Sequence, residues 1–304
     1  MHCIKLVDTR EITREEWLSW RKKGIGGSDI SSLLGLNPWR SPLALYYDKV
    51  SEDDETEEEE SIAMELGKEL EPFLREKFAN WMLKNEFVAI TVEEEPFMMQ
   101  HPEHEWALAN IDGKFIHPEK GLCGLELKTT NEFARKDWED DELPIYYFLQ
   151  IQWYMGVTGI QNFYVGYLIG NRKFDAKHIP RNDEVIEEIF KQAGDFWHNH
   201  VLAKIPPAPI GLDSDTDTLK KMYPFEDENT IELHDYQEKR DKYKELMGQR
   251  KELDQEIEAI KQEFMAAMGE SEVAMVGDRK VIWKTINKKG FFVKPSSSRQ
   301  LRIY

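Results

Sequence analysis

Trp106-Ala-Leu-Ala-Asn-Ile-Asp-Gly113 and Gly124-Leu-Glu-Leu-Lys-Thr-Thr130 decide the fold of this chain. Both segments alternate apolar and polar residues, the pattern of half-buried strands. Asp112-Gly113 begins the change of direction between them, and the connection holds Pro118 and Gly121. Side chains two apart on a strand share a face, so Glu126 and Lys128 point one way, and Leu125 and Leu127 point into the core. If the strands pair, Asp112 reaches the same spot. Two carboxylates then converge beside an ammonium, a set able to hold Mg²⁺ and orient a water for attack on phosphorus. A Glu-x-Lys triplet alone is more often a solvated surface pair of little energetic weight. Its company raises this one: an acidic helix before it and a Gln-containing helix after it.

Working outward, Ser61 to about Leu83 has the periodicity of an amphipathic helix, with Leu66, Leu70, Phe73, Leu74, Phe78 and Trp81 as its buried stripe and Gly67 and Glu71 beside it. Pro144 opens a helix from Tyr146 to Val157 that contains Gln150 and Gln152. Upstream, Thr13 and Glu16 form a capping box for a helix through Arg21. A glycine-rich turn, Gly24-Ile-Gly-Gly-Ser-Asp29, leads into the next helix with Ser28 near its start, and Pro42 to Val50 is a further short helix. Phe87 to Met99 supplies one or two strands. Asn162 to Ile169 and Arg172 to Ile179 are strands joined at Gly170-Asn171, and Asp183 to Leu202 is a helix. Pro206, Pro207 and Pro209 mark a boundary. Beyond Ile231, Tyr236, Tyr243, Leu246, Leu253, Ile257, Ile260 and Phe264 fall on a heptad seam interrupted by Arg250. The helix carrying the seam ends near Met268-Gly269, before a hairpin around Gly277-Asp278. The organisation expected is a domain over residues 1–210 and a helical, coiled-coil-like region with a basic tail over 211–304.

At 304 residues with 12% aromatics the chain is a folded protein with ample core. Its two cysteines, Cys3 and Cys123, exclude a disulfide scaffold and any Cys-rich zinc or iron–sulfur site. Met1 leads into charged sequence, and no run is long enough to span a membrane, so a cytoplasmic location is expected, the host's if the chain is phage-encoded. The net charge of −18 argues against tight non-specific binding of nucleic acid. It is uneven, however. Residues 52–60 carry eight acids and no base, while Arg279, Lys280, Lys284, Lys288, Lys289, Lys294, Arg299 and Arg302 follow Asp278. A carboxylate site also adds negative charge that a bound cation neutralises. His101, His104 and His117 lack zinc spacing and read as loop residues.

Five motifs in order carry a family resemblance: Trp17-Leu-x-x-Arg21 with Ile25-Gly-Gly-Ser-Asp29, Gly67-Lys-x-x-Glu71, Ile111-Asp-Gly113, Leu125-Glu-Leu-Lys128 and Gln150-Ile-Gln152. From about residue 13 to 169 the chain resembles the YqaJ-type viral recombinase family, the group of the phage lambda exonuclease, within the PD-(D/E)xK nuclease superfamily. The resemblance implies a restriction-endonuclease-like α/β core, a mixed sheet flanked by helices. It implies Mg²⁺- or Mn²⁺-dependent digestion of double-stranded DNA from the 5′ end, leaving a 3′ strand for a single-strand annealing protein. Rings of three subunits occur among such enzymes. The superfamily's proline before the first aspartate is Ile111 here, and the insert at 52–60 has no assigned role.

On this reading Asp112, Glu126 and the Leu127 carbonyl ligate the metal, and Glu71 does so directly or through water. For Glu71 the structural alternative is a surface pair with Arg75. Lys128 approaches the water and the phosphate oxygens, and Gln150 bonds the water or the Lys128 amine. Gln152 lies on another helix face and touches DNA, or else it is a satisfied amide. Arg21 and Ser28 grip a terminal 5′-phosphate, helped by backbone N–H groups at the glycine-rich helix start. The competing functions are an end- or structure-specific endonuclease with the same carboxylates, and a non-catalytic DNA-binding module. CRISPR-type relatives are disfavoured because they usually carry an iron–sulfur cysteine cluster.

Overall fold

The computed structural model describes residues 2–51, 62–132, 138, 143–226, 229–287, 301 and 303. The acidic run at 52–60, most of the polar stretch before Leu143 and most of the basic tail beyond residue 287 lie outside them. The chain forms two compact units, Met1–Lys221 and Met222–Tyr304.

The first unit opens with strand β1 (Ile4–Asp8) and helices α1 (Arg14–Lys22), α2 (Gly27–Leu33) and α3 (Pro42–Val50). The capping box starts α1 as expected: Thr13 Oγ1 accepts from Glu16 N, and Glu16 Oε2 accepts from Thr13 N. Helix α4 (Ile62–Asn85) leads to β2 (Phe97–Gln100), β3 (Leu108–Ala109), β4 (Gly113–His117) and β5 (Gly121–Thr130). Helix α5 (Ile145–Thr158) then crosses to β6 (Asn162–Ile169) and β7 (Lys173–Pro180), and α6 (Asp183–Phe196) continues as a π-helical turn through Leu202.

Two sheets result. One is antiparallel, in the order β1-β2-β3; the other is mixed, in the order β4-β5-β6-β7, with only the β5–β6 pair parallel. The parallel pair follows from the α5 crossover, since parallel neighbours need a long connection. The expected single hairpin from Trp106 to Lys128 is corrected here. Leu108–Ala109 pairs with β2, and only Gly113 onward pairs with β5, turning at Pro118–Lys120. Asp112 therefore sits where the chain passes from one sheet to the other. His117 ends β4 in the buried interior, and its Nδ1 accepts from the Glu119 and Lys120 amides, so it is not a loop residue.

On one face of the mixed sheet, Phe115, Cys123, Leu125, Leu127 and Tyr164 pack against Leu74, Phe78 and Met82 of α4. The stripe of α4 is thus Leu70, Leu74, Phe78, Trp81 and Met82, whereas Leu66 and Phe73 are exposed. Between Phe87 and Gln100 only Phe97–Gln100 is a strand, with an isolated bridge from Glu93 to Lys114. The first unit runs past the boundary expected at 210. Helix α7 (Asp213–Met222) is fixed to it by Ser214 Oγ, which accepts from Ser41 N at 3.0 Å, and by the buried Asp215, which accepts from the Ile210, Gly211 and Leu212 amides.

In the second unit α8 (Gln237–Met268) precedes the hairpin β8 (Val273–Val276) and β9 (Arg279–Ile282), turned by Gly277 at φ +62°. The seam residues Tyr243, Leu246, Leu253, Ile257, Ile260 and Phe264 are exposed. Among the described residues no helix is long and apolar enough to cross a membrane.

Candidate active site

The antiparallel register pairs Gly113 with Leu125, which sets Asp112 beside Glu126. Asp112 Oδ2 accepts from the Leu127 N–H at 2.6 Å, so a β5 amide fixes the loop carboxylate. Glu126 is buried on the face opposite Leu125 and Leu127. Its Oε1 accepts from Lys128 Nζ at 2.6 Å and from Gln150 Nε2 at 2.7 Å. Its Oε2 is buried with no hydrogen-bond partner. Lys128 also lies 5.1 Å from the Tyr147 ring. Helix α4, packed on the other face, carries Arg75 to the Asp112 carbonyl (2.9 Å) and to Glu71 Oε2 (3.4 Å). The expected alternative for Glu71, an i,i+4 pair with Arg75, is thus present, and the same arginine ties Glu71 to the Asp112 loop.

The electrostatics bind these groups into one site. Burial and then the charge of Asp112 push Glu126 up to about 8. The same two causes push Glu71 up to about 7. Burial raises Asp112 as well, against the pull of Lys128 and the Leu127 N–H. Burial alone would lower the Lys128 ammonium, but Glu126 and then Asp112 outweigh it and hold it above the ordinary lysine range. Among the described residues no group of three or more His, Cys, Asp or Glu side chains encloses an ion as it stands. The acids are turned instead to Lys128, the Leu127 N–H and Arg75. The groups with oxygen to offer a cation are Glu126 Oε2, Asp112 and Glu71.

Gln150 belongs to the site, and its side chain is turned to the Glu126 carboxylate rather than to the Lys128 amine. It donates to the Glu126 carboxylate and, at 2.8 Å, to the Tyr154 hydroxyl. The DNA-contact role expected of Gln152 is corrected. That side chain is fully buried, donating to Pro180 O and accepting from Asn182 N, each at 2.9 Å. It clamps α5 to the end of β7. Gln152→Ala strands both backbone groups and is expected to lower stability by about 1–3 kcal/mol; a urea melt checks this, and an unchanged midpoint would contradict it.

Arg21 and Ser28 do come together: Arg21 Nη2 donates to Ser28 Oγ at 2.9 Å. The sequence does not reveal what holds them. Asp29 is fully buried and takes Lys49 at 2.8 Å, Arg40 at 3.0 Å and Arg21 at 3.3 Å, while Arg40 also pairs with Asp48. Burial would raise Asp29, but Lys49, Arg21 and Arg40 hold it well below the usual carboxylate range. Burial pulls Lys49 down to about 8 despite Asp29. The expected anion-attracting helix start is partly consumed: the α2 N-cap is Gly26, and its N–H already bonds Asp29 Oδ2. The glycines serve close approach instead. A Cβ on Gly24 would meet Trp106 O at 2.4 Å, and one on Gly27 would meet the Tyr154 ring at 2.5 Å and Gln150 Cγ at 3.0 Å. The start of α2, which bears Ser28, is thereby pressed against the residues that hold Glu126. Sequence reading missed Asp29, Arg40, Lys49 and Tyr154 as parts of this region. Asp29 stood in the quoted motif, and its burial is the signal that a motif alone does not carry.

Residues 16–161 match the YqaJ-like viral recombinase domain. The chain is 35% identical over 285 residues to the protein YqaJ of Bacillus subtilis (strain 168), covering 92% of this chain and 86% of that one. Its fold is similar to that of an alkaline exonuclease (LHK-Exo) from Laribacter hongkongensis, with a TM-score of 0.50 at 20% identity over 69% of this chain and all of that one. A phage related exonuclease from Haemophilus somnus 129PT aligns at a TM-score of 0.42 and 10% identity, over 60% of this chain and 96% of that one. With a mixed sheet between helices, an Asp–Glu–Lys site at the end of β5 and this relationship along nearly its whole length, the chain belongs to the YqaJ-like viral recombinase family.

Proposed function

We propose that this protein is a divalent-metal-dependent exonuclease that hydrolyses one strand of duplex DNA from a 5′-phosphorylated end. The observation that carries the reading is the convergence of Asp112, Glu126, Lys128 and Gln150, with Glu71 arriving from α4. It is supported by the family and by the similar fold of the alkaline exonuclease LHK-Exo.

The donor set fits Mg²⁺ or Mn²⁺, which take oxygen ligands. A buried carboxylate oxygen without a partner is costly, and a cation relieves both that cost and the rise in proton affinity that Asp112 causes at Glu126 and Glu71. Asp112, Glu126 and Glu71 would hold the ion, with the Leu127 carbonyl added by family resemblance. The ion supplies Lewis acidity and a more acidic water. The chain's residues do the rest. Lys128, held protonated, is a fixed positive charge for the developing phosphorane and not a general base. Gln150, braced by Tyr154, fixes the Glu126 carboxylate in one orientation. Arg21 presents a guanidinium to the terminal phosphate beside Ser28, steadied by Asp29. The 3′ strand left behind is the substrate of an annealing protein.

The reading is tested with linear and closed circular duplex in Mg²⁺. Linear DNA labelled at either end should shorten from its 5′ end while the closed circle persists. A nicked circle would favour an endonuclease, and no cleavage of either would leave a binding module. Arg21→Ala should slow 5′-phosphorylated ends by about 10- to 100-fold, a charge-assisted contact of roughly 1.5–3 kcal/mol, and leave unphosphorylated ends nearly unchanged. Equal loss on both would remove the phosphate grip.

A pH dependence follows from the raised acids. Metal must displace the protons that Glu71 and Glu126 keep up to about 7 and about 8, so affinity for Mn²⁺ should climb from about pH 6 to about pH 8 with protons released on binding. The ion-free fold shows the opposite trend. A carboxyl raised in the folded state loses its stabilising contribution as pH rises from the unfolded value through the folded one. Titration calorimetry in two buffers of different ionisation enthalpy reads the affinity and the protons released, and melts in EDTA across the same pH range read the stability; pH-independent affinity without proton release would contradict the assignment.

A further inference from the structure

Trp39 is a large aromatic side chain left 68% exposed. Exposed apolar residues are ordinary when scattered, but the backbone of this one is fixed and its neighbours lead to both halves of the site. Asn37 Oδ1 accepts from both the Trp39 N–H (2.9 Å) and the Arg40 N–H (3.2 Å), which fixes the turn between α2 and α3. On one side Arg40 runs to Asp29, which holds Arg21 beside Ser28. On the other the Trp39 ring meets Tyr146 at 5.3 Å, Tyr146 meets Tyr147 at 4.5 Å, and Tyr147 lies 5.1 Å from Lys128 Nζ. These contacts connect Trp39 to Lys128 without a break. Beside Trp39 opens a cleft of about 410 Å³ lined by Pro38, Gly211, Leu212, Asp213, Ser214 and Asp217. Its carboxylates repel phosphate and accept hydrogen bonds from the amino and imino groups of bases.

We propose that Trp39 is a stacking platform for a nucleobase unpaired from the end of the duplex, with the neighbouring cleft taking the base edge. The inference rests on the exonuclease reading and adds to it how the scissile strand parts from its complement. Every base has a π-face, so such a platform tolerates sequence and is worth about 1–3 kcal/mol per base.

The test uses the full-length protein with Mg²⁺ and two 5′-phosphorylated linear duplexes, one fully paired at its end and one with mismatched terminal pairs. Trp39→Ala should slow the paired end by about 5- to 150-fold, the rate equivalent of that stacking energy, and the mismatched end much less; Trp39→Phe should retain most of the rate. Trp39→Leu keeps apolar bulk without the ring and replaces the alanine variant if that one melts early. Equal rates for variant and wild type on both ends, or equal loss on both, would overturn the platform. Absence of digestion by the unmodified protein would instead sink the exonuclease reading itself.

Discussion

Glu126→Gln is expected to abolish metal-dependent cleavage, by about a thousandfold or more, while leaving the ion-free fold at least as stable as before. The glutamine keeps the shape and can still accept from Lys128 and Gln150, the two donors at Oε1. It loses the charge that a cation needs. Glu126 is buried and raised to about 8, chiefly by burial and then by Asp112, so its ionised form is a cost to the fold at any pH above the ordinary carboxylate range. A neutral amide removes that cost, an exchange of stability for activity. Rates on linear duplex together with a thermal melt in EDTA read both halves. Residual activity within about tenfold of wild type, or loss of activity accompanied by unfolding, would contradict the role.

Lys128→Met carries the second large effect, a fall in kcat of about 10²- to 10³-fold, the scale for removing one preorganised charge at a reacting centre. The methionine fills the stem's space near Tyr147 but provides no ammonium. Glu126 Oε1 is left with Gln150 alone, and Asp112 loses the largest influence that offsets its burial. Both acids then hold protons more tightly, so metal binding should also move to more alkaline pH. A variant with kcat within a few-fold of wild type, or one whose metal affinity follows the wild-type pH curve, would show that Lys128 is a surface lysine.

The periodicities that were local were legible. Strand alternation placed Glu126 opposite Leu125 and Leu127, and the capping box, the Gly170–Asn171 turn and the hairpin around Gly277 each needed only a few consecutive residues. What needed distant partners was not. Trp106 to Lys128 reads as one hairpin because nothing local shows that Leu108–Ala109 pairs with β2. Gln152 reads as a polar residue on a helix until Pro180 and Asn182 close over it. The Asp29 cluster joins residues separated by up to 28 positions, and pairing of that kind leaves no periodic trace. Leu66 and Phe73 satisfy the helical pattern, yet both side chains are exposed.

The central claim is that Glu71, Asp112 and Glu126 share a divalent ion. A crystal soaked in Mn²⁺ and measured at the manganese absorption edge tests it most directly. One or two anomalous peaks are expected among those carboxylates, with Glu126 Oε2 among the ligands, and none in the Glu126→Gln variant. A peak that persists in that variant, or a wild-type map with no peak between the three acids, would contradict it.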